Sequence, residues 1–206
     1  MRKIILASGS PRRRQLLDQM GVVFDVIPST FEEWLDDSRS PEDMAKTLGL
    51  GKAQNVADQY PEAVVIGSDT IVSFDGKQLG KPDDRKHARE MIQWLCEKEA
   101  DVTTSIIVIC KATHVQVVES EGTKIRLKPF DSAKVDAYLD TGDYADKAGG
   151  FGVQSGFGPL VEYITGDYDS IIGLPTRRLA RILQDIDIPA HPAEITSPLP
   201  QRLRVK

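Results

Sequence analysis

Residues 3–20 read KIILASGSPRRRQLLDQM, and their reading decides the fold class. Lys3 to Ala7 is apolar enough for a buried strand. Ser10 then offers an N-cap, and Pro11 suits the first helical position. Leu16, Leu17 and Met20 supply the apolar face of the helix that follows. A strand that passes through a Ser-Gly turn straight into a helix is the opening unit of an α/β protein. The same stretch breaks a rule. Free N–H groups give a helix start roughly half a positive charge, so acidic side chains belong there. This helix start carries Arg12, Arg13 and Arg14. An anion docked at that turn resolves the conflict, since free N–H groups and guanidinium forks both suit phosphate. The competing reading is a basic turn splayed into water.

A second helix start, Ser40-Pro41-Glu42-Asp43, obeys the dipole and serves as an internal control. Its helix runs toward Gln59. Between the two helices, Val22 to Ile27 reads as a strand. Ala63 to Phe74 is strand-like but broken by Asp69-Thr70, and Asp75-Gly76 is a hairpin turn. Asp83 to Leu95 is helical. Val102 to Cys110 and His114 to Leu127 read as adjacent antiparallel strands. Asp131 to Leu139 is a helix, Lys147 to Gly158 a glycine-rich loop, Leu160 to Thr165 a strand and Thr176 to Asp185 a closing helix. The order predicts an α/β fold with a mixed sheet. Residues 1–188 read as one domain. Residues 189–206 read as a proline-rich tail, loosely ordered from Ile188 onward.

The chain has 206 residues, 40% hydrophobic and 28% charged, an ordinary globular composition. No apolar run approaches the roughly 20 residues that cross a bilayer. The apolar stretch Ile4 to Ala7 is too short for a signal-peptide core. Cys96 and Cys110 form no CxxC pair, which fits a reduced, cytoplasmic protein. A net charge of −5 argues against a nucleic-acid binder. Any anion site must therefore be a local cluster of cations.

Three further stretches carry candidate chemistry. In Val64-Val65-Ile66-Gly67-Ser68-Asp69-Thr70, a carboxylate interrupts a strand that otherwise reads as buried. Such an ion needs a metal or a cationic partner. Asp69 fits a metal ligand, a general base, or both; the alternative is a strand-end cap. In Gly80-Lys81-Pro82, Lys81 offers a point charge for phosphate. This is not a Walker A loop, since Pro82 stands where magnesium needs Ser or Thr. In the stretch from Asp146 to Gln154, glycines at 149, 150 and 152 let the backbone approach a ligand. Gln154 there offers both a donor and an acceptor to a base edge. The histidines His87, His114 and His191 have no ligand spacing.

Taken in order, LASGSPRR, GSDTIV, LGKP, DKAGGFGVQ and GDYDSIIGLP resemble the Maf family of nucleotide pyrophosphatases, also called septum formation inhibitors. The resemblance runs from about Lys3 to Gln184. It implies an elongated, two-lobed α/β fold with a deep central groove, similar to the inosine triphosphate pyrophosphatases. It also implies hydrolysis of nucleoside triphosphates between the α and β phosphorus atoms, with Mg²⁺ or Mn²⁺. On this resemblance Ser8, Arg12 and Arg13 match the phosphate-binding motif. Glu33, in FEEW, matches an acidic position near the metal. Lys52, in LGLGKAQ, and Lys81 match groove lysines. Asp69 matches the proton acceptor, and Lys147 and Gln154 match the DKAG loop. One subgroup, acting on dTTP and UTP, carries Arg, Thr and Gln at three selective positions, which here are Arg12, Thr70 and Gln154. A second, acting on 7-methyl-GTP, has a bulky aromatic in place of the Arg. Cys96 to Ala100 depart from the family, which often has a Ser-Gly turn and a histidine there.

The resulting expectation is a dTTP and UTP pyrophosphatase. Glu33 and Asp69 seat the divalent cation, Asp69 is the base, and the cations neutralise the triphosphate. Removal of modified pyrimidine nucleotides is a further expectation. The resemblance further implies a homodimer. The competing function classes are a nucleotide-sensing regulator of cell division without turnover, and a 7-methyl-GTP pyrophosphatase.

Overall fold

The computed structural model describes residues 2–154 and 156–194. In chain order its elements are β1 (Ile4–Leu6), α1 (Pro11–Gln19), β2 (Asp25–Val26), α2 (Pro41–Ala57), β3 (Val64–Gly67), β4 (Thr70–Phe74) and β5 (Lys77–Leu79). Then follow α3 (Arg85–Leu95), β6 (Glu99–Cys110), β7 (Val115–Leu127), α4 (Ser132–Leu139), β8 (Val161–Thr165), α5 (Tyr168–Ile172) and α6 (Thr176–Asp185).

The long antiparallel hairpin of β6 and β7 is the spine. Both β3 and β4 pair with β6, and they keep one register: Gly67 faces Ile107 and Thr70 faces Thr104. Only Ser68 and Asp69 separate them. At this break the Asp69 N–H donates to the Ser105 side chain at 2.9 Å. β1 lies parallel to β3 with β2 outside it, whereas β5 lies along β4. None of these outer strands crosses the break, so the mixed sheet forks at Asp69. β1 runs toward the fork and ends in Ser8-Gly9-Ser10. β5 returns toward it and ends in Gly80-Lys81. The fold thus delivers two chain ends and one carboxylate to a single gap.

Side chains alternate across the pleat with the period of a strand. Ile4, Leu6, Val64, Ile66, Ile106 and Val108 face a core shared with α1, α3, α4 and α6. Ile5, Ala7, Val65, Ile107 and Ile109 face Ala53, Val56 and Ala57 of α2. Against β3, α2 packs very closely: a Cβ on Gly67 would stand 2.7 Å from the Ala53 Cβ and 2.9 Å from the Gly49 carbonyl. The expected hairpin turn is present, with Asp75 at φ 51° and Gly76 at φ 75°.

Four expectations need correction. The strand over 22–27 shrinks to Asp25–Val26, because β1, its one partner among the described residues, stops after Leu6. Leu160 belongs to a 3₁₀ turn ahead of β8. The helix α5, capped by the Asp167 side chain, was missed because one turn is too short to show periodicity. The chain after Ile188 is not loose as far as it is described. Ile188 and Ala190 are buried, the Gln184 amide donates to the Ala190 carbonyl at 2.7 Å, and the Ala193 N–H donates to Thr176 Oγ1 at 3.0 Å. Pro198 and Pro200 lie outside the described residues. At the departure Cys96 to Ala100, Glu97 adopts φ 61° and its N–H donates to the Leu127 carbonyl at 3.2 Å, which makes the turn without glycine. Among the described residues no helix is long and apolar enough to cross a membrane.

Gly67→Ala is expected to lower unfolding free energy by about 1–3 kcal/mol through overpacking against α2. Gly122→Ala, whose added methyl meets nothing within 4 Å, should change it by less than about 0.5 kcal/mol. Urea unfolding of the two variants beside the parent decides it, and equal losses would contradict the close packing.

Candidate active site

The fork holds a cavity of about 740 Å³. Every candidate residue named from the sequence lines it: Ser8, Arg12, Arg13, Glu33, Lys52, Asp69, Thr70, Lys81, Lys147 and Gln154. Arg12 and Asp69 therefore share one cavity rather than opposite faces of the molecule. Phe31, Leu48, Ile71, Phe151 and Val153 add an apolar wall.

One bank is the start of α1. The Ser10 side chain caps it by accepting from the Arg13 N–H, as its position in the sequence implies. Of the three arginines, Arg14 points to solvent and reaches Asp18 at 3.8 Å. Arg12 reaches the Asp146 carboxylate at 3.2 Å. Arg13 is the fixed one. Its Nε donates to the Gly173 carbonyl at 2.8 Å, Nη1 to Ser8 Oγ at 3.3 Å and Nη2 to Thr70 Oγ1 at 3.1 Å. A guanidinium has five N–H groups, so among the described residues one remains on each terminal nitrogen. Guanidinium N–H groups of this kind suit phosphate oxygens. Burial lowers the pKa of Arg13, with the Asp69 charge partly opposing. It remains a cation at any ordinary pH.

The other bank is acidic and already holds a cation. Lys52, on α2, is almost fully buried and its ammonium contacts both Glu33 Oε1, at 2.7 Å, and Asp69 Oδ1. Lys81 backs Glu33 from the far side at 3.2 Å. Half-burial alone would raise the Glu33 carboxyl. The hydrogen bond and charge of Lys52, with Lys81 behind, outweigh it and hold the pKa at about 2. Two carboxylates converging on one ammonium have the donor chemistry of a hard cation seat. Among the described residues no group of three or more His, Cys, Asp or Glu is placed to hold a metal. The chain thus offers two carboxylates, the number with which magnesium is usually held alongside substrate phosphates.

The glycine-rich loop forms the third wall. The Gly149 N–H donates to the Gly80 carbonyl at 3.0 Å, which fastens the loop to the end of β5. Lys147 is buried and bonded to the Asp143 and Asp146 carboxylates, both at 2.8 Å, so its charge is engaged within its own loop. Asp146 bridges Lys147 and Arg12. Burial opposes ionisation of Asp146, but the Lys147 hydrogen bond and the Arg12 charge win and lower its pKa. Gln154 is exposed at the rim of the cavity.

Sequence reasoning missed Asp146, Ser68, Thr104, Ser105 and Gly173. Asp146 had a signal, since it adjoins Lys147 in DKAG. The others act across strands or from a one-turn helix, and only the sheet register brings them to the fork.

A family profile described as "Maf-like protein" matches residues 3–186. Among similar curated proteins, the "dTTP/UTP pyrophosphatase" of Bacillus anthracis is 41% identical over 188 residues, which is 91% of this chain and 97% of that protein. Proteins of the same printed name from Bacillus cereus and Bacillus cytotoxicus are also 41% identical, with the same coverage.

A carboxyl held below its ordinary 4.5 stabilises the fold above that value, and the contribution disappears as pH falls toward about 2. The parent protein should therefore lose thermal stability across that window more steeply than Glu33→Gln. Melting midpoints between pH 5 and 2 measure the difference, and parallel curves would contradict the assigned ion pair.

Proposed function

The chain belongs to the Maf family, and from that premise we propose that it hydrolyses dTTP and UTP to the monophosphate and pyrophosphate. The observation that carries this reading is the arrangement at the fork. A cationic helix start and an acidic seat face one another across a cavity large enough for a nucleotide.

In this reading the triphosphate tail lies between the banks. Arg13 takes phosphate oxygens with its remaining N–H groups, and Ser8 and Arg12 extend the same bank. Lys81 and Lys52 neutralise the leaving pyrophosphate. Glu33 and Asp69 would hold Mg²⁺ or Mn²⁺ together with phosphate oxygens, with the Lys52 ammonium yielding part of its seat. When bound, such an ion supplies Lewis-acid charge and makes its water more acidic. Asp69 accepts the proton of the attacking water. The water oxygen bonds to the α-phosphorus as the bond to the β-phosphate oxygen breaks, and pyrophosphate leaves with the electron pair. Positioning and charge stabilisation carry most of such a reaction. The pyrimidine sits toward the glycine-rich loop, where Gln154 can pair with the O4 and N3–H edge shared by thymine and uracil. Arg12, in place of a bulky aromatic, favours this over 7-methyl-GTP. Lys147 shapes the loop through Asp143 and Asp146. A homodimer, as the family resemblance implies, in the cytoplasm, as the cysteine usage implies, completes the reading.

With Mg²⁺ or Mn²⁺, pyrophosphate release is expected for dTTP and UTP, with CTP and 7-methyl-GTP slower by tenfold or more. Chelation should stop it. Flat traces on all four with tight binding of one would favour a regulator that binds without turnover. Asp69→Asn should lose on the order of 10²- to 10⁴-fold in rate, the usual share of a general base, with its circular dichroism unchanged. Parent-like turnover by that variant would remove Asp69 from the mechanism.

A further inference from the structure

The block GDYDSIIGLP has no part in the chemistry above, yet two of its carbonyls reach the fork. Counting protons shows how. Thr104, on β6, is fully buried and outside the cavity lining. Its hydroxyl donates to the Ser170 carbonyl at 2.8 Å. That uses its one proton. The Thr70 and Thr104 oxygens lie 2.9 Å apart, so the proton between them comes from Thr70. Thr70 then has no proton left, and it accepts from Arg13 Nη2 at 3.1 Å. The Gly173 carbonyl accepts from Arg13 Nε at 2.8 Å and from the Ser68 hydroxyl at 3.0 Å. The Asp169 carbonyl in turn accepts the Gly173 and Leu174 N–H groups, at 3.0 and 3.1 Å, which fixes where the Gly173 carbonyl points.

We infer that the turn from Tyr168 to Gly173 is a positioning clamp for Arg13, acting directly through the Gly173 carbonyl and indirectly through Ser170, Thr104 and Thr70. Thr70 is then a positioning residue. Its hydroxyl is spent within the clamp, so it influences substrate choice by aiming a guanidinium and not by donating to the base. Thr104 and Ser68 are positioning residues for the same reason. The inference rests on the reading that Arg13 grips substrate phosphate.

Thr104→Val keeps the side-chain shape and deletes the relay. Two readouts are taken on the full chain: kcat/KM for dTTP with Mg²⁺, and the calorimetric Kd for inorganic pyrophosphate with Mg²⁺. Both should worsen on the order of ten- to 100-fold, as expected for a misaimed binding group. Thr104→Ser, which restores a hydroxyl, should recover at least half of the parent value. In an Arg13→Ala background Thr104→Val should change either readout by less than about twofold, because the group it aims is gone. Ser68→Ala is the second probe, with a smaller loss that also vanishes without Arg13. It decides the matter should Thr104→Val fold poorly by its melting midpoint. Equal losses in both backgrounds, no loss at all, or failure of Thr104→Ser to recover would each overturn the clamp. Pyrophosphate binding separates the two layers. A chain that binds it through Thr104 and Arg13 but turns over no triphosphate keeps the clamp and fails the hydrolase reading. A chain that hydrolyses dTTP regardless of Thr104→Val keeps the hydrolase and loses the clamp.

Discussion

Burying a lysine ammonium costs several kcal/mol unless carboxylates face it at close range. Lys52 meets that condition with Glu33 and Asp69, and much of the fold around the cavity serves to bring the three together. α2 carries Lys52 toward the sheet, and the close approach of that helix at Gly67 requires glycine there. The break after Gly67 removes Asp69 from the strand ladder without disturbing the register on β6. The long loop before α2 brings Glu33, and Lys81 pins it from the end of β5. The buried ions Lys52 and Asp69 and the half-exposed Glu33 are thereby held in one place. They form a seat that already fits a cation.

The opposite bank follows the complementary logic. A helix start that repels its own arginines is tolerated because each has a counterweight: Asp18 for Arg14, Asp146 for Arg12, and a ring of neutral acceptors for Arg13. Neutral acceptors matter at Arg13. They hold the guanidinium still while leaving its charge for a ligand, whereas a carboxylate would cancel it. The sheet fork then sets the distance between the banks, since β1 and β5 both end at the gap on the two sides of Asp69.

Much of this was legible in the sequence, and the reasons are local. Ser10-Pro11 and Ser40-Pro41 declare their helix starts, Asp75-Gly76 declares its hairpin, and the carboxylate in Val64 to Phe74 marks the break. The ten candidate residues share one cavity because the motifs stand at chain ends and breaks, where strands deliver them. What was illegible depends on register and on short elements. Nothing in Thr104 or Ser105 distinguishes them from other β-strand residues until their partners on β4 are known. Gly173 caps the end of a one-turn helix with no period to read. The strand over 22–27 was overestimated because its apolar pattern is real, while its length is limited by β1. The packing of Ile188 and Ala190 could not be inferred from a segment dominated by prolines.

The central claim is that one cavity, at the sheet fork, seats a cation on Glu33 and Asp69 while Arg13 holds the phosphates. A crystal structure with a dTTP analogue that resists cleavage between the α and β phosphorus atoms, grown with Mn²⁺, tests it most directly. Anomalous density for the ion against both carboxylates, with the triphosphate reaching Arg13 and the Lys52 ammonium moved off at least one carboxylate, is the result the account requires. A nucleotide bound away from the fork, or an ion seated without either Glu33 or Asp69, would contradict it.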